Sequence, residues 1–321
     1  MTPPIRSRFT AEATAQEVLD GVDLGGRNAI VTGGTSGVGL ETARAVAAAG
    51  ANVVIGARDA AAGEALASTI NAQIGAARVT SLPLELGSLR SVRDFAAAFG
   101  DRPLHMLFNN AGVMATPYGH TEDGFETQIG VNHFGHFLLA ELLTPNLLAA
   151  APARVVVVSA GAHHTRDIDY EDMHFWRRPY DPYDAYAQSK TANNLFTAGF
   201  QARFGPLGVT ANAITPGAVL SKLGRHTTIE GARRMGWVDE NDQPRDMAFK
   251  TPAQGAATSV WAATAPELAG VGGLYLEDCQ QANEWNADKP NLGYKSFSFD
   301  PARADRLWAH SKLATRESHL V

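Results

Sequence analysis

The chain has 321 residues, of which 45% are apolar and 19% are charged, and its formal net charge is −6. A chain of this length and apolar content can bury a sizeable core, which excludes a disordered protein, and its acidic balance argues against a nucleic-acid-binding groove. The single cysteine excludes an intramolecular disulfide framework, and no apolar run approaches the roughly 20 residues of a membrane-spanning helix. The first residues lack the apolar stretch of a signal peptide, so we expect a cytoplasmic protein.

Short apolar runs alternate with helical segments along most of the chain. After a short amphipathic helix around Ala11–Leu19, the expected strands are Ala29–Val31, Asn52–Ile55, Val79–Leu86, Met106–Phe108, Val155–Val158, Thr210–Ile214 and Gly273–Leu276. The run Val155–Val158 is the clearest of them, because four β-branched residues in a row suit a strand that is buried on both faces. Strands that alternate with helices predict an α/β fold in which helices cover both faces of a parallel sheet.

A glycine-rich turn joins the first expected strand to the first long helix. Gly33, Gly37 and Gly39 have the spacing Gly-x3-Gly-x-Gly. Glycines let the backbone turn tightly and approach a pyrophosphate, and the free N–H groups at a helix start carry partial positive charge. The spacing differs from the usual Gly-x-Gly-x-x-Gly, so ordinary turn glycines are the alternative interpretation of this segment alone.

Five motifs, in this order, resemble those of the short-chain dehydrogenase/reductase family. They are Thr32–Gly39, Asn109–Gly112, Asn132 within Val-Asn-His-Phe-Gly-His-Phe, Tyr186-x3-Lys190, and Pro216–Gly217. The residues around Asn132 and the segment Glu277–Cys279 are similar to the retinol-dehydrogenase-like and WW-oxidoreductase-like branch. The resemblance implies a single doubly wound Rossmann domain with a parallel sheet of about seven strands and a bound nicotinamide cofactor.

The same resemblance divides the chain into segments and argues against the two domains that a length of roughly twice 150 residues suggests. We expect the Rossmann domain to span residues 24–281, after a leader at 1–23 and before a C-terminal tail at 282–321. Inside the domain, residues 161–183 form a variable loop and residues 222–250 form a substrate lid.

The resemblance also implies most of the cofactor-binding positions. They are Gly33, Thr35, Ser36, Gly37, Val38, Gly39, Glu85, Leu86, Asn109, Asn110, Ala111, Gly112, Tyr186, Lys190, Pro216, Gly217, Val219 and Ser221. Glu85 stands near the adenine, where the family more often has aspartate. Val219 and Ser221 match the positions that hold the nicotinamide carboxamide.

The residues after the second expected strand indicate which nicotinamide cofactor is bound. An NAD site usually has an acidic residue about 20 residues beyond the glycine turn, where it accepts hydrogen bonds from the ribose 2′-hydroxyl. Here Ala57 ends the strand and Arg58 follows, a side chain suited to a 2′-phosphate. Asp59 is expected to cap the next helix. We therefore expect NADP(H) rather than NAD(H), the alternative being that Arg58 is a solvated surface charge.

Tyr186 and Lys190 are four residues apart and so lie on one face of a helix. A phenol has a pKa of about 10, and a neighbouring ammonium group favours the phenolate and lowers that pKa. The resemblance implies that Tyr186 is the general acid and that Lys190 modifies its pKa and anchors the ribose. It also implies that Asn132 binds a water molecule that links Lys190 to solvent.

The position of the family's catalytic serine holds an alanine. In the family, the second residue of a Ser-Ser pair donates a hydrogen bond to the substrate carbonyl, and here the pair reads Ser159-Ala160. Because side chains alternate along a strand, we expect Ser159 to point away from the substrate. The loss of such a donor commonly costs on the order of 10²–10³ in rate.

Three explanations of this alanine stay open. A bulge at Gly161 would redirect Ser159 toward the substrate. A substitute hydrogen bond could come from the substrate itself or from His163, His164 or Thr165. The third explanation is an NADP-binding protein with a non-redox activity (cyclase, dehydratase or isomerase in a biosynthetic pathway) or a regulatory role.

The remaining expectations concern the substrate and partners. His133 and His136 have a spacing that could hold a metal, but we expect them to pack in a helix, with no metal site. The leading function is NADP(H)-dependent interconversion of a carbonyl and an alcohol on a small molecule. We expect this small molecule to be apolar, as suggested by Met114, Trp176, Leu220 and Trp237.

Two helical segments, around 125–150 and 186–204, resemble those that pair subunits in the family. We therefore expect a homo-oligomer that acts on a small molecule, binds no nucleic acid and has no membrane span.

Overall fold

The computed structural model describes residues 3–219, 221–243 and 249–316. These residues form one eight-stranded sheet with the order β3-β2-β1-β4-β5-β6-β7-β8. Its strands are β1 (Asn28–Thr32), β2 (Asn52–Ala57), β3 (Val79–Pro83), β4 (Met106–Asn109), β5 (Ala153–Val158), β6 (Val209–Thr215), β7 (Tyr275–Glu277) and β8 (Gln280–Gln281). Neighbouring strands from β3 across to β7 are parallel, and β8 runs antiparallel to β7. The predicted doubly wound sheet is confirmed.

Helices lie on both faces of the sheet. They are α1 (Ala15–Val18), α2 (Gly37–Ala48), α3 (Ala60–Ile74), α4 (Leu89–Phe99), α5 (Thr127–Ile129), α6 (Gly135–Ala149), α7 (Pro182–Phe204), α8 (Ile229–Arg234), α9 (Pro252–Gly255), α10 (Ala257–Thr264) and α11 (Pro301–Arg316). Within the described ranges, none of them is both long and apolar enough to cross a membrane.

The β-branched run of β5 shows how the two layers are filled. Val155 and Val157 face the apolar cluster formed with α4, α6 and α7, whereas Val156 and Val158 face the cluster formed with α2 and α10. Successive side chains of a strand point to opposite faces, so a strand between two helical layers is apolar at every position.

Three predicted elements differ from the observed ones. The strand expected at Val79–Leu86 ends at Pro83, which is tolerated because β3 lies at the edge of the sheet. The helix expected around Ala11–Leu19 is limited to α1, whose start is fixed by a capping box between Thr14 and Glu17. The helix expected around 125–150 is interrupted by a π-helical turn at Gly130–Phe134.

The segments before and after the sheet domain fold onto it. The backbone of Ile5 donates to Gln281 Oε1 (3.0 Å) and accepts from the backbone N–H of Gln281 (2.9 Å), which extends the sheet edge. At the other end, α11 packs against α7. The Trp308 ring lies parallel to Phe196, with centroids 6.0 Å apart, and edge-on to Phe137 at 4.9 Å.

We expect Trp308→Ala to lower the free energy of unfolding by about 3–5 kcal/mol, because a buried indole leaves a large cavity. The matched control is Leu313→Ala in the same helix, where the side chain is 56% exposed and the loss should stay within about 0.5 kcal/mol. Urea unfolding of both variants measures the difference. Equal losses would show that α11 is not anchored through its tryptophan.

Candidate active site

The turn between β1 and α2 forms one wall of a groove at the carboxyl ends of the strands. Gly33 and Gly37 have positive φ angles of 65° and 56°, which favour glycine. A Cβ atom at Gly39 would overlap Asn110 Nδ2, and one at Gly33 would lie 2.9 Å from Ala111 Cα. These glycines therefore allow the turn to pack tightly against Asn110 and Ala111. The backbone N–H groups at the start of α2 face the groove end of this turn, a setting that fits the pyrophosphate of a dinucleotide.

Most of the predicted cofactor-binding residues line this groove. Those found there are Gly33, Thr35, Ser36, Gly37, Val38, Gly39, Arg58, Glu85, Leu86, Asn110, Ala111, Gly112, Pro216 and Ser221. Three residues that the sequence placed in the lid also line it: Lys222, Leu223 and Arg225. Val113, Val131 and Val158 line it as well, and nothing in their sequence surroundings marks them as ligand contacts.

Five other predicted contacts lie outside the groove lining, and two of them, Tyr186 and Lys190, are described below with α7. The Asn109 side chain is buried in β4. Gly217 occupies a turn with φ 81°. The Val219 side chain is directed toward Gly255. At the far end of the groove, Asp59 caps α3 by accepting from the backbone N–H of Ala62 at 3.1 Å, as expected.

Thr32 fixes the wall opposite the glycine turn. Its hydroxyl oxygen accepts from the backbone N–H groups of Asn110 (2.9 Å) and Ala111 (3.0 Å) and lies 2.8 Å from His136 Nε2. The other ring nitrogen of His136 is 3.0 Å from the carbonyl oxygen of Asn132. Burial lowers the pKa of His136 to about 4, so the imidazole is neutral and both its nitrogens serve in this network.

His133 is directed away from His136. Its Nε2 lies 2.7 Å from the Ser311 hydroxyl on α11, and burial lowers its pKa to about 3. In the described parts of the chain, no three His, Cys, Asp or Glu side chains converge as metal ligands. The two histidines therefore act as packing and hydrogen-bonding residues.

Tyr186 and Lys190 lie together on α7, and both are buried. Lys190 Nζ is 5.5 Å from the Tyr186 ring centroid and donates to the carbonyl oxygen of Val158 at 2.9 Å. The expected lowering of the phenol pKa is not what this geometry gives. Burial raises the pKa of Tyr186 and lowers the pKa of Lys190 to about 7, because removing both groups from water disfavours their charged forms.

Asn132 occupies the π-helical turn before α6. Its side chain accepts from the backbone N–H of Val113 (2.9 Å) and donates to the Val113 carbonyl (3.0 Å) and to the Ser189 hydroxyl (2.9 Å). A Cβ atom at Gly112 would lie 3.3 Å from Asn132 Oδ1 and 3.7 Å from Lys190 Nζ, so the two side chains converge there. Irregular π turns are frequent at functional sites.

The structure settles the direction of Ser159. Its hydroxyl donates to the carbonyl oxygen of Lys190 at 3.2 Å, and the side chain is buried. Ala160 instead packs against the apolar cluster that contains Tyr186. The explanation that a bulge redirects Ser159 toward the substrate is therefore wrong. The side chains of β5 alternate in direction up to the end of the strand, and Ser159 continues that alternation.

The three residues considered as substitute donors bind other groups. His163 Nδ1 lies 2.7 Å from the Ala160 carbonyl oxygen, and its Nε2 accepts from the backbone N–H of Lys295 at 3.3 Å. His164 Nε2 is 2.9 Å from the carbonyl oxygen of Gly293, and Thr165 donates to the Ala162 carbonyl at 3.0 Å. These contacts fix the loop after β5 against the C-terminal segment.

An apolar cluster surrounds the phenol of Tyr186. It consists of Met114, Ala115, Tyr186, Ala160, Ala162, Tyr183, Leu223, Met235 and Trp237. Of the four residues expected to indicate an apolar substrate, Met114 and Trp237 belong to this cluster. Trp176 is 69% exposed and lies on the surface. Leu220 lies outside the described residues, as does part of the predicted lid.

Gln128 joins two segments beside this cluster, one at Ala115 and one at Tyr180 and Pro182, and its position in the sequence does not mark this role. Its Oε1 accepts from the backbone N–H of Ala115 (2.9 Å), and its Nε2 donates to the Tyr180 hydroxyl (2.8 Å) and the Pro182 carbonyl (2.7 Å). Ala115 has a positive φ of 51°, unusual for a residue with a side chain. The buried amide holds this strained residue beside Tyr186.

Comparison with known proteins agrees with this geometry. Residues 27–230 match the family model described as short chain dehydrogenase. A protein named "Probable oxidoreductase" from Streptomyces antibioticus is 46% identical, over 92% of this chain and 99% of its own length. Polyprenol dehydrogenase from Mus musculus is 46% identical (90% and 84%), and retinol dehydrogenase 12 from Homo sapiens is 42% identical (96% and 91%).

A solved structure extends the likeness to the whole fold. The crystal structure of an uncharacterized protein from Mycobacterium paratuberculosis is 33% identical, with a TM-score of 0.70 over 97% of this chain and 98% of that one. Because the family model covers more than half of the sequence and the relatives are similar over almost their entire length, the chain belongs to the short-chain dehydrogenase/reductase family, in the branch similar to retinol dehydrogenases, and is an oxidoreductase.

Proposed function

We propose that the protein transfers hydride between NADP(H) and the carbonyl or alcohol carbon of an apolar small molecule. The proposal rests on the position of Tyr186 and Lys190 between the groove and the apolar cluster. Val158, whose carbonyl binds Lys190, lines the cofactor groove. Leu223 lines the groove and also belongs to the apolar cluster around Tyr186. The phenol therefore stands between a dinucleotide site and an apolar one.

The charges at the groove support NADP(H). Arg58 is exposed at the end of β2 and lines the groove, whereas Asp59 is used as a helix cap. Lys222 and Arg225 add positive charge to the lining. An arginine that faces the 2′-position of the ribose pairs with a phosphate there, while NAD sites usually have an acidic residue.

The chemistry divides between cofactor and side chains. A nicotinamide cofactor held by the groove residues would supply or accept the hydride. Burial raises the pKa of Tyr186, so its hydroxyl is protonated at neutral pH, which is the form that donates a proton to the oxygen of a carbonyl being reduced. Lys190 lies beside this ring and anchors the ribose, and Asn132 supports the relay of protons from solvent. The water in this relay stays a prediction.

The substrate side supports an apolar carbonyl or alcohol. Met114, Ala160 and Trp237 present apolar side chains to the region around Tyr186. The names of two relatives, polyprenol dehydrogenase and retinol dehydrogenase, denote enzymes of apolar alcohols. A homo-oligomer stays part of the proposal, although α11 covers a face of α7, one of the helices on which that expectation was based.

We expect Ala160→Ser to increase the rate of NADPH-dependent reduction by about 10²-fold, because it returns a hydroxyl donor to the substrate oxygen. The loss of NADPH absorbance with a panel of apolar aldehydes and ketones measures the rate. Tyr186→Phe is the control and should abolish turnover in both backgrounds, since it removes the transferred proton.

No gain from the added serine would show that the missing hydroxyl is irrelevant to this enzyme. If neither the natural chain nor Ala160→Ser turns over any carbonyl while both bind NADPH tightly, the proposed redox reaction is wrong. The non-redox alternative would then be favoured.

Arg58→Ala should weaken NADPH binding about 10–100-fold, because a charge-assisted pair with phosphate contributes about 1.5–3 kcal/mol. NADH binding should change less than about threefold, since NADH has no 2′-phosphate. Fluorescence titration with both cofactors measures the two Kd values. The neighbouring Asp59→Ala serves as the control, because it removes a helix cap and should leave the NADPH/NADH ratio unchanged. Equal losses for the two cofactors in Arg58→Ala would contradict the 2′-phosphate contact.

Lys190→Met should abolish turnover yet raise the Tm of the cofactor-free protein by several degrees. Burial lowers the pKa of Lys190 from its ordinary 10.5 to about 7, so the unfolded chain binds this proton more tightly than the folded chain. The resulting destabilisation is complete below about pH 7 and disappears above about pH 10.5.

The gain in Tm should therefore be largest near neutral pH and should shrink as the pH rises. Thermal unfolding of both proteins across this range measures it. The substitution leaves no unpaired carbonyl, because Val158 O also accepts from Asn193 Nδ2 at 3.1 Å. A gain in Tm that increased with pH would contradict the lowered pKa of Lys190.

A further inference from the structure

We propose that Tyr183 is a specificity-determining residue, which sets how closely the lid helix α8 packs over Tyr186 and thereby selects slender apolar carbonyl compounds. The proposal rests on the proposed function, because it concerns the substrate of that reaction. Its basis is a contact between the first turn of α7 and α8 that no catalytic motif of the family includes.

Tyr183 lies on the substrate side of the catalytic helix. It precedes Tyr186 by three residues, so the two side chains share one face of α7, about 5–6 Å apart at Cβ. The ring belongs to the apolar cluster that contains Tyr186, Met114 and Trp237. Its position next to the phenol means that it borders the space in which the substrate carbonyl must bind.

Gly231 of α8 has no side chain where Tyr183 meets the lid. A Cβ atom on Gly231 would overlap the Tyr183 hydroxyl and the ring carbon that bears it. Glycine in a helix costs about 1 kcal/mol relative to alanine, and Gly231 has an ordinary helical backbone rather than a positive φ. The close approach of Tyr183 therefore explains this glycine, whereas backbone conformation does not.

Polar contacts hold the lid in this position. Arg234 at the end of α8 forms ion pairs with Asp181 (2.7 Å) and Asp184 (2.6 Å) in the first turn of α7. The backbone N–H of Thr228 donates to the Tyr183 hydroxyl at 3.4 Å. The lid thus binds to the catalytic helix on both sides of the Tyr183 ring, and its distance from Tyr186 is fixed by the size of that ring.

This arrangement predicts which substrates enter. The Tyr183 ring and the lid residues Met235 and Trp237 all pack against the apolar cluster that contains the Tyr186 phenol. The contact between Tyr183 and α8 therefore limits the width available to a substrate at the phenol. A linear aldehyde places only one chain there, whereas a branch at the carbon next to the carbonyl needs additional width. A shape mismatch of one or two methylene groups changes kcat/KM by about 10–200-fold.

Substitutions that enlarge Gly231 and shorten Tyr183 test the contact between these two residues. Gly231→Ala should lower kcat/KM for a linear apolar aldehyde at least about tenfold, because the lid is displaced. Gly224→Ala is the matched control in the same lid segment, since a Cβ atom there would lie 3.5 Å from Thr227 Oγ1, an ordinary contact. Tyr183→Leu combined with Gly231→Ala should restore activity, and Tyr183→Leu alone should favour α-branched over linear aldehydes about tenfold.

Two readouts separate this proposal from the proposed function. NADPH affinity should be unchanged in Tyr183→Leu, and trypsin cleavage after Arg233 or Arg234 should increase in Gly231→Ala alone, even without a substrate. If the natural chain reduces no carbonyl, the proposed function is wrong, while the cleavage pattern still tests the lid contact. If Gly231→Ala behaves like Gly224→Ala, or if the double variant is not rescued, Tyr183 does not set the lid position.

Discussion

The hydrogen bond from Lys190 Nζ to the carbonyl oxygen of Val158 joins the catalytic helix to the end of β5, and the active site depends on this joint. The same carbonyl accepts from Asn193, and Ser159 returns a hydrogen bond to the backbone of Lys190. Strand and helix are therefore joined in both directions, by side chains of α7 that donate to the backbone of β5 and by a side chain after β5 that donates to the backbone of α7. This joint places Tyr186 at the carboxyl edge of the sheet, where ligands of open α/β sheets bind.

Sequence alone predicts the geometry of the glycine-rich turn well, because its determinants are local. The glycines between β1 and α2 are required by positive φ angles and by the approach of Asn110, so the same short segment both signals the turn and forms it. Alternation along β5 likewise predicts the direction of Ser159 from its neighbours alone. Where a single strand or turn determines the local geometry, the pattern of residues in that segment is sufficient to predict it.

The substrate side is less predictable, because its determinants come from distant segments. Gln128 reaches Ala115, Tyr180 and Pro182, and none of these contacts has a sequence spacing that marks it. The pKa of Tyr186 is a second example. Spacing on a helix suggests that the nearby ammonium dominates, yet burial acts on both groups and favours their neutral forms. Burial depends on the whole fold, so neither the direction nor the size of that effect can be derived from two residues.

The hydrogen bonds of the polar groups near Ala160 determine whether any of them can replace the missing serine hydroxyl. Ser159 is bound to the backbone of Lys190, His163 to the C-terminal segment and Thr165 to its own loop, so each of these three polar groups is already used. Any of them could reach a substrate oxygen only by leaving an existing partner, at a cost of about 1–3 kcal/mol for the group left behind. In the proposed reaction the rate therefore depends on exclusion of water and on positioning of the carbonyl beside the Tyr186 hydroxyl. Both depend on the closeness of the apolar walls to the phenol, which explains why a lid contact can matter as much as a catalytic residue.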